Sequence, residues 1–339
     1  MENEAGRHRV KLPPYPYAKQ LVEQFEAFIG FEYCWYDHEC FHQQLWLTYR
    51  QPSRAESRDR LWLCQLFAVV ALGASYNTYD APSIEVSNGC DEERDVGLHD
   101  SNPCHTNGDR PPGSTFFEQA LALFRFPSED VQIGHVEVLN LFVSLMTPKS
   151  CTDAEQDQAF YSYSLNRRRT AYMYSGMALR SASTLELGAH LEATFSDKSR
   201  YRQLLWCTTL ILDTTTAIAT GLPPAHSIGE VELQNLVKDD SLEAGSSEPA
   251  SSTLIIEHLK LCMIQTKIQR AISFFRVEDF DSFQSAIAGP LQALRRWKSM
   301  LPTGLAFDIR AGMPEQMCSY KGMRSLASLY LRYEQVRAL

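Results

Sequence analysis

Apolar and polar positions along this chain repeat with the 3.6-residue period of α-helices, and no stretch alternates every second residue strongly enough to predict a strand. The clearest patterns follow each other between Ala171 and Glu232. In the first, Ala171, Tyr174, Ala178, Ala182 and Leu185 recur at helical spacing, and the small residues on that face let a neighbouring helix approach closely. The second starts behind Ser196, an N-cap residue followed by Asp197. Its stripe is Tyr201, Leu204, Leu205, Thr208, Ile211, Leu212, Thr215, Ile218 and Ala219. Gly221 stops it, with Pro223 and Pro224 just beyond. Arg180 lies in the first run and Asp213 in the second. A charge inside a helix contact needs a partner, so the sequence predicts a structural Arg180–Asp213 ion pair, with a ligand-binding role for the two as the alternative.

The same period predicts helices elsewhere. Leu12-Pro13-Pro14 opens one through Tyr17, Leu21, Phe25 and Phe28, and an aromatic segment runs from Phe31 to Tyr49. Arg60 to Tyr76 is apolar nearly all round, which marks a central helix. Phe116 to Phe126 and Val131 to Met146 follow, and Leu254 to Phe275, Phe280 to Met300 and Met317 to Leu339 close the chain. Between them, residues 77–114 turn to Gly, Pro, Asn and Asp and are expected to form a disordered insertion; residues 239–252 are a Ser, Gly and acid-rich linker. Residues 1–16 form a polar tail with a small basic cluster. The expected fold is all-α, a multi-helix domain over 17–339 with long disordered loops.

Composition narrows the function more than the fold. A chain of 339 residues can bury a large core, and its formal net charge of −9 argues against a protein that holds a polyanion on its own surface. Nine cysteines, an odd number scattered singly, argue against a secreted disulfide framework. The longest apolar run, Leu61 to Ala74, is too short to span a bilayer. A reduced, soluble protein without a membrane segment is expected.

Candidate chemistry is sparse. Cys34, His38, Cys40 and His42 are four ligand types within nine residues, but their spacing is not that of paired zinc ligands on a turn and the run is full of packing aromatics. Cys90, His99, Cys104 and His105 fall in the polar insertion. Asp239-Asp240-Ser241-Leu242-Glu243 imitates the magnesium-binding carboxylates of helical terpene cyclases, yet it sits in the linker and has no second metal motif downstream. No phosphate loop, dinucleotide fingerprint or nucleophile elbow occurs. The sequence therefore assigns no catalytic, cofactor-binding or metal residue.

Ala171-Tyr172, Gly176, Ala178, Arg180, Ala182, Leu185-Glu186-Leu187-Gly188 and His190 resemble the "AY…G…A.R.A..LGLH" pattern of the fungal transcription factor regulatory domain, the middle homology region of zinc binuclear cluster proteins. Arg200, Leu205-Trp206, Leu212-Asp213, Gly221-Leu222-Pro223, Ile228 and Glu232 resemble its next segment, with Leu222 where an arginine is usual. Leu66 to Ala74, Trp297 with Leu301-Pro302, and Leu326 to Tyr333 add further likenesses. The six-cysteine DNA-binding cluster has no counterpart here. The resemblance implies a nuclear transcription regulator that works through protein partners, a full-length relative or a second copy, with DNA contacted only indirectly and a small-molecule effector allowed. It implies no cofactor in this chain, since zinc belongs to the cluster of full-length relatives. It also implies a chain shortened relative to them. The competing classes are a magnesium-dependent terpene cyclase-like enzyme and a helical interaction scaffold.

Overall fold

The computed structural model describes residues 11–30, 32–76, 112–126, 130–146, 167–188, 197–226, 249–275, 280–302, 305 and 320–338. These residues are helical, with no strand among them: α1 (Tyr15–Phe25), α2 (His38–Arg50), α3 (Arg60–Ser75), α4 (Ser114–Leu123), α5 (Ile133–Met146), α6 (Arg168–Thr184), α7 (Asp197–Thr220), α8 (Pro249–Ser273), α9 (Phe280–Ser299) and α10 (Tyr320–Ala338). The expected disordered insertion and the Ser/Gly linker fall outside the described residues, apart from their last few positions.

Two helices are buried on every side. In α3 each residue from Trp62 to Ala74 is buried, and in α5 each from His135 to Met146. They are the interior, as an apolar run with no polar face must be. The α3 helix is started by Asp59, whose side chain accepts from the Trp62 backbone N–H at 2.8 Å. Helices α1, α4 and α5 pack around it, α6 lies on α5, and α7 lies on α6. From α1 come Ala18, Leu21, Val22 and Phe25, the i, i+3, i+4, i+7 stripe. Fully burying an aliphatic or aromatic side chain of this size contributes roughly 1.5–3 kcal/mol each.

Two glycines set how closely these helices meet. A Cβ on Gly73 would stand 2.0 Å from the Leu21 carbonyl oxygen, so α3 and α1 touch backbone to backbone. Gly113 precedes α4 with φ +83°, and a Cβ there would lie 2.4 Å from the Ala71 carbonyl oxygen. Gly221 ends α7 as expected, at φ +69°, with the Leu222 N–H returning to the Ala217 carbonyl at 3.0 Å.

A second core forms on the far side of α8. Leu254, Leu261, Ile264 and Ile268 of α8 meet Leu294 and Trp297 of α9 and Leu326, Leu329, Tyr330, Tyr333 and Val336 of α10. Trp297 stacks on Tyr333 with ring centroids 5.7 Å apart. The opposite side of α8 places Ile255, Leu259 and Cys262 in the first core, so one helix serves both.

α1 does not run straight into a loop. Its end widens into a π-helical turn, Glu26–Gly30, and an aromatic-rich connection leads to α2. The Trp35 ring nitrogen donates to the Ile29 carbonyl at 2.8 Å, and Tyr36 stacks on Phe41 at 4.1 Å. Asp37 then caps α2 by accepting from the Cys40 N–H at 3.0 Å.

Candidate functional site

Three buried polar centres cross this helical stack. The first joins α6 to α7. Asp213 is 1 % exposed; one carboxylate oxygen accepts from the Ser175 hydroxyl at 3.3 Å and the other from the Ala225 backbone N–H at 2.7 Å. Ser175 also shares a 2.7 Å hydrogen bond with Thr216, and the Tyr172 hydroxyl donates to the Pro223 carbonyl at 2.9 Å. Burial pushes the Asp213 carboxyl up, and the Ala225, Ser175 and His226 donors partly offset that.

Arg180 stands at the edge of this centre, its Nη1 3.1 Å from where a Cβ on Gly176 would lie. It is exposed, it makes no ion pair with Asp213 among the described contacts, and its charge is the last of the influences on that carboxyl. The helical wheel gives the reason. At 100° per residue Ala171, Ala178 and Ala182 share one side of α6, while Arg180 falls about 180° from Ala171. Ser175, about 40° from Ala171, is on the buried side and takes the role expected of Arg180.

The second centre lies between α3, α5 and α7. Glu137 of α5 accepts from Gln65 at 2.8 Å and from the Tyr201 hydroxyl. Alongside it, Thr208 accepts from the Cys34 backbone N–H at 3.0 Å, and Asn140, with no exposure, donates to Thr209 at 2.9 Å. Burial raises the Glu137 carboxyl to about 7, against the lowering effect of Tyr201 and Gln65. The folded state thus binds more protons than the unfolded one between the ordinary value of 4.5 and about 7. Stability from this group is greatest at the acid end of that window and falls as pH rises through it, by up to about 3 kcal/mol. Glu137→Gln keeps the shape without the titration. The difference in melting temperature between variant and wild type should widen from pH 5 to pH 8, in favour of the variant; a pH-independent difference would contradict a raised carboxyl.

The third centre ties α10 to the rest. Arg332 directs its guanidinium inward, donating to the Thr215 hydroxyl at 2.9 Å, to the Cys262 sulfur at 2.7 Å and to the Tyr33 hydroxyl at 3.4 Å. Ser328, one turn away, donates to Glu32. Burial alone would lower the Arg332 pKa, but Cys262, Tyr33 and Glu32 reverse this and hold it charged. His258 packs at 5.6 Å from the Tyr33 ring with no exposure, near the Ser325 backbone. Burial first, then the Arg332 charge, drives its pKa well down, so it is neutral.

Of the sequence candidates for a metal, the structure separates the cysteines from the histidines. Cys34 faces inward, its sulfur 4.0 Å from the Tyr201 carbonyl, and burial pushes its thiol up. Cys40 is exposed. His38 and His42 instead converge on Glu26, which no sequence pattern singled out. Cys90, His99, Cys104, His105 and the Asp239–Glu243 carboxylates lie outside the described residues.

A family model described as the fungal specific transcription factor domain matches residues 41–296, well over half of the chain. The chain belongs to that family. A fungal transcription factor domain is a regulatory module and not an enzyme family, and membership implies a role in regulating transcription. Neither curated proteins nor solved structures yielded a match. Among the described residues no helix is long and apolar enough to cross a membrane. The matched span of the fungal domain runs from α2 into α9 and holds the Asp213 and Glu137 centres; Glu26, Tyr33 and Arg332 lie outside it.

Proposed function

We propose that this chain acts in the nucleus as a transcription-regulating module that recruits a partner protein, with any association with DNA made through that partner. The observation that favours a partner is a groove of about 730 Å³ between the end of α8 and the first half of α9, lined by Lys267, Arg270, Phe274, Phe275, Phe283 and Pro290. Phe274 is 82 % exposed, a large apolar area to leave in water. Aromatic rings flanked by two cationic side chains suit the apolar face of an amphipathic helix that also carries carboxylates. The same volume lies in the range of small-molecule sites, which keeps an apolar, anionic effector as the second reading. The domain extends over 17–339 in this reading, because α1 and α10 complete the two cores although both lie outside the matched span.

The test is a reporter assay with the chain fused to an unrelated DNA-binding module. The wild-type fusion should change reporter output, and Phe274→Asp combined with Phe283→Ser should abolish most of the change while the melting temperature of the purified variant holds. Unaltered reporter output from a folded double variant would remove the groove from the function.

A further inference from the structure

The cluster beside the π-helical turn has the composition and geometry of a metal site. One oxygen of the Glu26 carboxylate lies 3.2 Å from Nδ1 of His38 and 2.8 Å from Nε2 of His42, and the three ligand atoms all fall within 4.8 Å of one another. A zinc ion with bonds of about 2.0–2.1 Å in tetrahedral geometry holds neighbouring ligand atoms roughly 3.3 Å apart. The two carboxylate–imidazole distances are therefore already near those of a loaded site, and a small side-chain adjustment closes the third edge.

The backbone places these groups. His38 and His42 are four residues apart on α2, so both rings project from one face, the spacing at which a helix chelates a metal with two imidazoles. Cys40 is two positions from each and about 200° round the helix, which is why it takes no part. Opposite them, Glu26 opens the π-helical turn that follows α1, and such turns recur at functional sites. Gly30 keeps that turn clear: a Cβ there would stand 3.2 Å from Cβ of Glu26. The Tyr36 hydroxyl donates to the same carboxylate oxygen at 3.1 Å, an orienting contact of the kind that surrounds metal ligands.

The site is also reachable. The histidine side chains are 47 % and 41 % exposed and that of Glu26 16 %, so an ion can enter from solvent and keep water in its remaining position. Asp37 and Glu39 add negative charge at the same end of α2, and the chain as a whole is at −9. Two imidazoles with one carboxylate select a borderline transition metal over magnesium or calcium.

We propose that Glu26, His38 and His42 bind one divalent transition-metal ion of the zinc class. Bound there, the ion joins the end of α1 to the start of α2 and braces the segment between them. That segment carries Glu32 and Tyr33, the contacts of Ser328 and Arg332, so metal occupancy stiffens the seat of α10.

The experiment is calorimetric titration of the full, tag-free chain with ZnCl2 under reducing conditions, paired with melting curves with and without the metal. The expected result is one ion per chain with a rise in melting temperature, affinity lower by about tenfold or more in Glu26→Gln and in His42→Gln, and no change in Cys40→Ser. Should Glu26→Gln fold poorly without metal, His38→Gln, on the exposed side, serves in its place. Absence of zinc uptake by the wild type, equal affinity in a folded His38→Gln, His42→Gln double variant, or loss of uptake in Cys40→Ser would each overturn the assignment. Cobalt substitution gives a second readout: a thiolate charge-transfer band would place cysteine in the coordination and contradict it.

Discussion

Gly73→Ala should lower the melting temperature by roughly 2–5 °C, although alanine is the better helix former. Two effects oppose each other at this position. In helix propensity the change favours folding by about 1 kcal/mol. Against that, the new methyl group would stand 2.0 Å from the carbonyl oxygen of Leu21, 2.7 Å from its carbonyl carbon and 3.1 Å from its Cα. These are backbone atoms of a fully buried residue, so no side-chain rotation relieves the overlap. The helices must separate, and the contacts of Leu21, Phe25 and Leu72 loosen with them. Overpacking in a tight interior costs about 1–3 kcal/mol and more where backbone is the obstacle, so the steric term wins. Thermal melting followed by circular dichroism decides it; a variant as stable as the wild type would mean that α1 and α3 do not meet at this distance.

Arg332→Ala should have an effect of the same order, about 3–5 kcal/mol, read as a lower urea midpoint. The substitution removes a buried cation whose two terminal nitrogens reach three elements, α7 through Thr215, α8 through Cys262 and the α1–α2 connection through Tyr33. It leaves those groups desolvated and without their donor, and it leaves Glu32 without the nearby opposite charge. Arg332→Lys should recover only part of the loss, because one ammonium cannot serve two diverging directions from the same place. Full stability in Arg332→Ala would show that α10 is held by its apolar stripe alone.

Legibility in the sequence follows the range of the interaction. The burial of α3 was readable because a helix apolar nearly all round can only be interior, and the end of α7 was readable because Gly221 and two prolines act within a few residues. In the α6–α7 centre the sequence paired Asp213 by charge with Arg180, whereas the carboxylate hydrogen-bonds Ser175, which shares the face of the small residues. Glu26 and Arg332 carried no such mark. The partners of Arg332 are 117, 70 and 299 residues away, and Glu26 meets His38 and His42 only across the connection between α1 and α2, at a π turn that no periodicity announces. Of the metal candidates, the histidines of α2 could be read as a chelating pair, but their third ligand could be found only in the fold.

The helix shared by both cores couples them geometrically. Side chains on α8 stand about 5–6 Å from its axis, so a rotation of some 20° would move each by about 2 Å, enough to unseat Leu259 and Cys262 on one side and Leu261 and Ile264 on the other together. Its far end supplies Lys267, Arg270 and Phe274 to the α8–α9 groove. One helix thus lines that groove, fills both cores and carries the sulfur to which Arg332 donates.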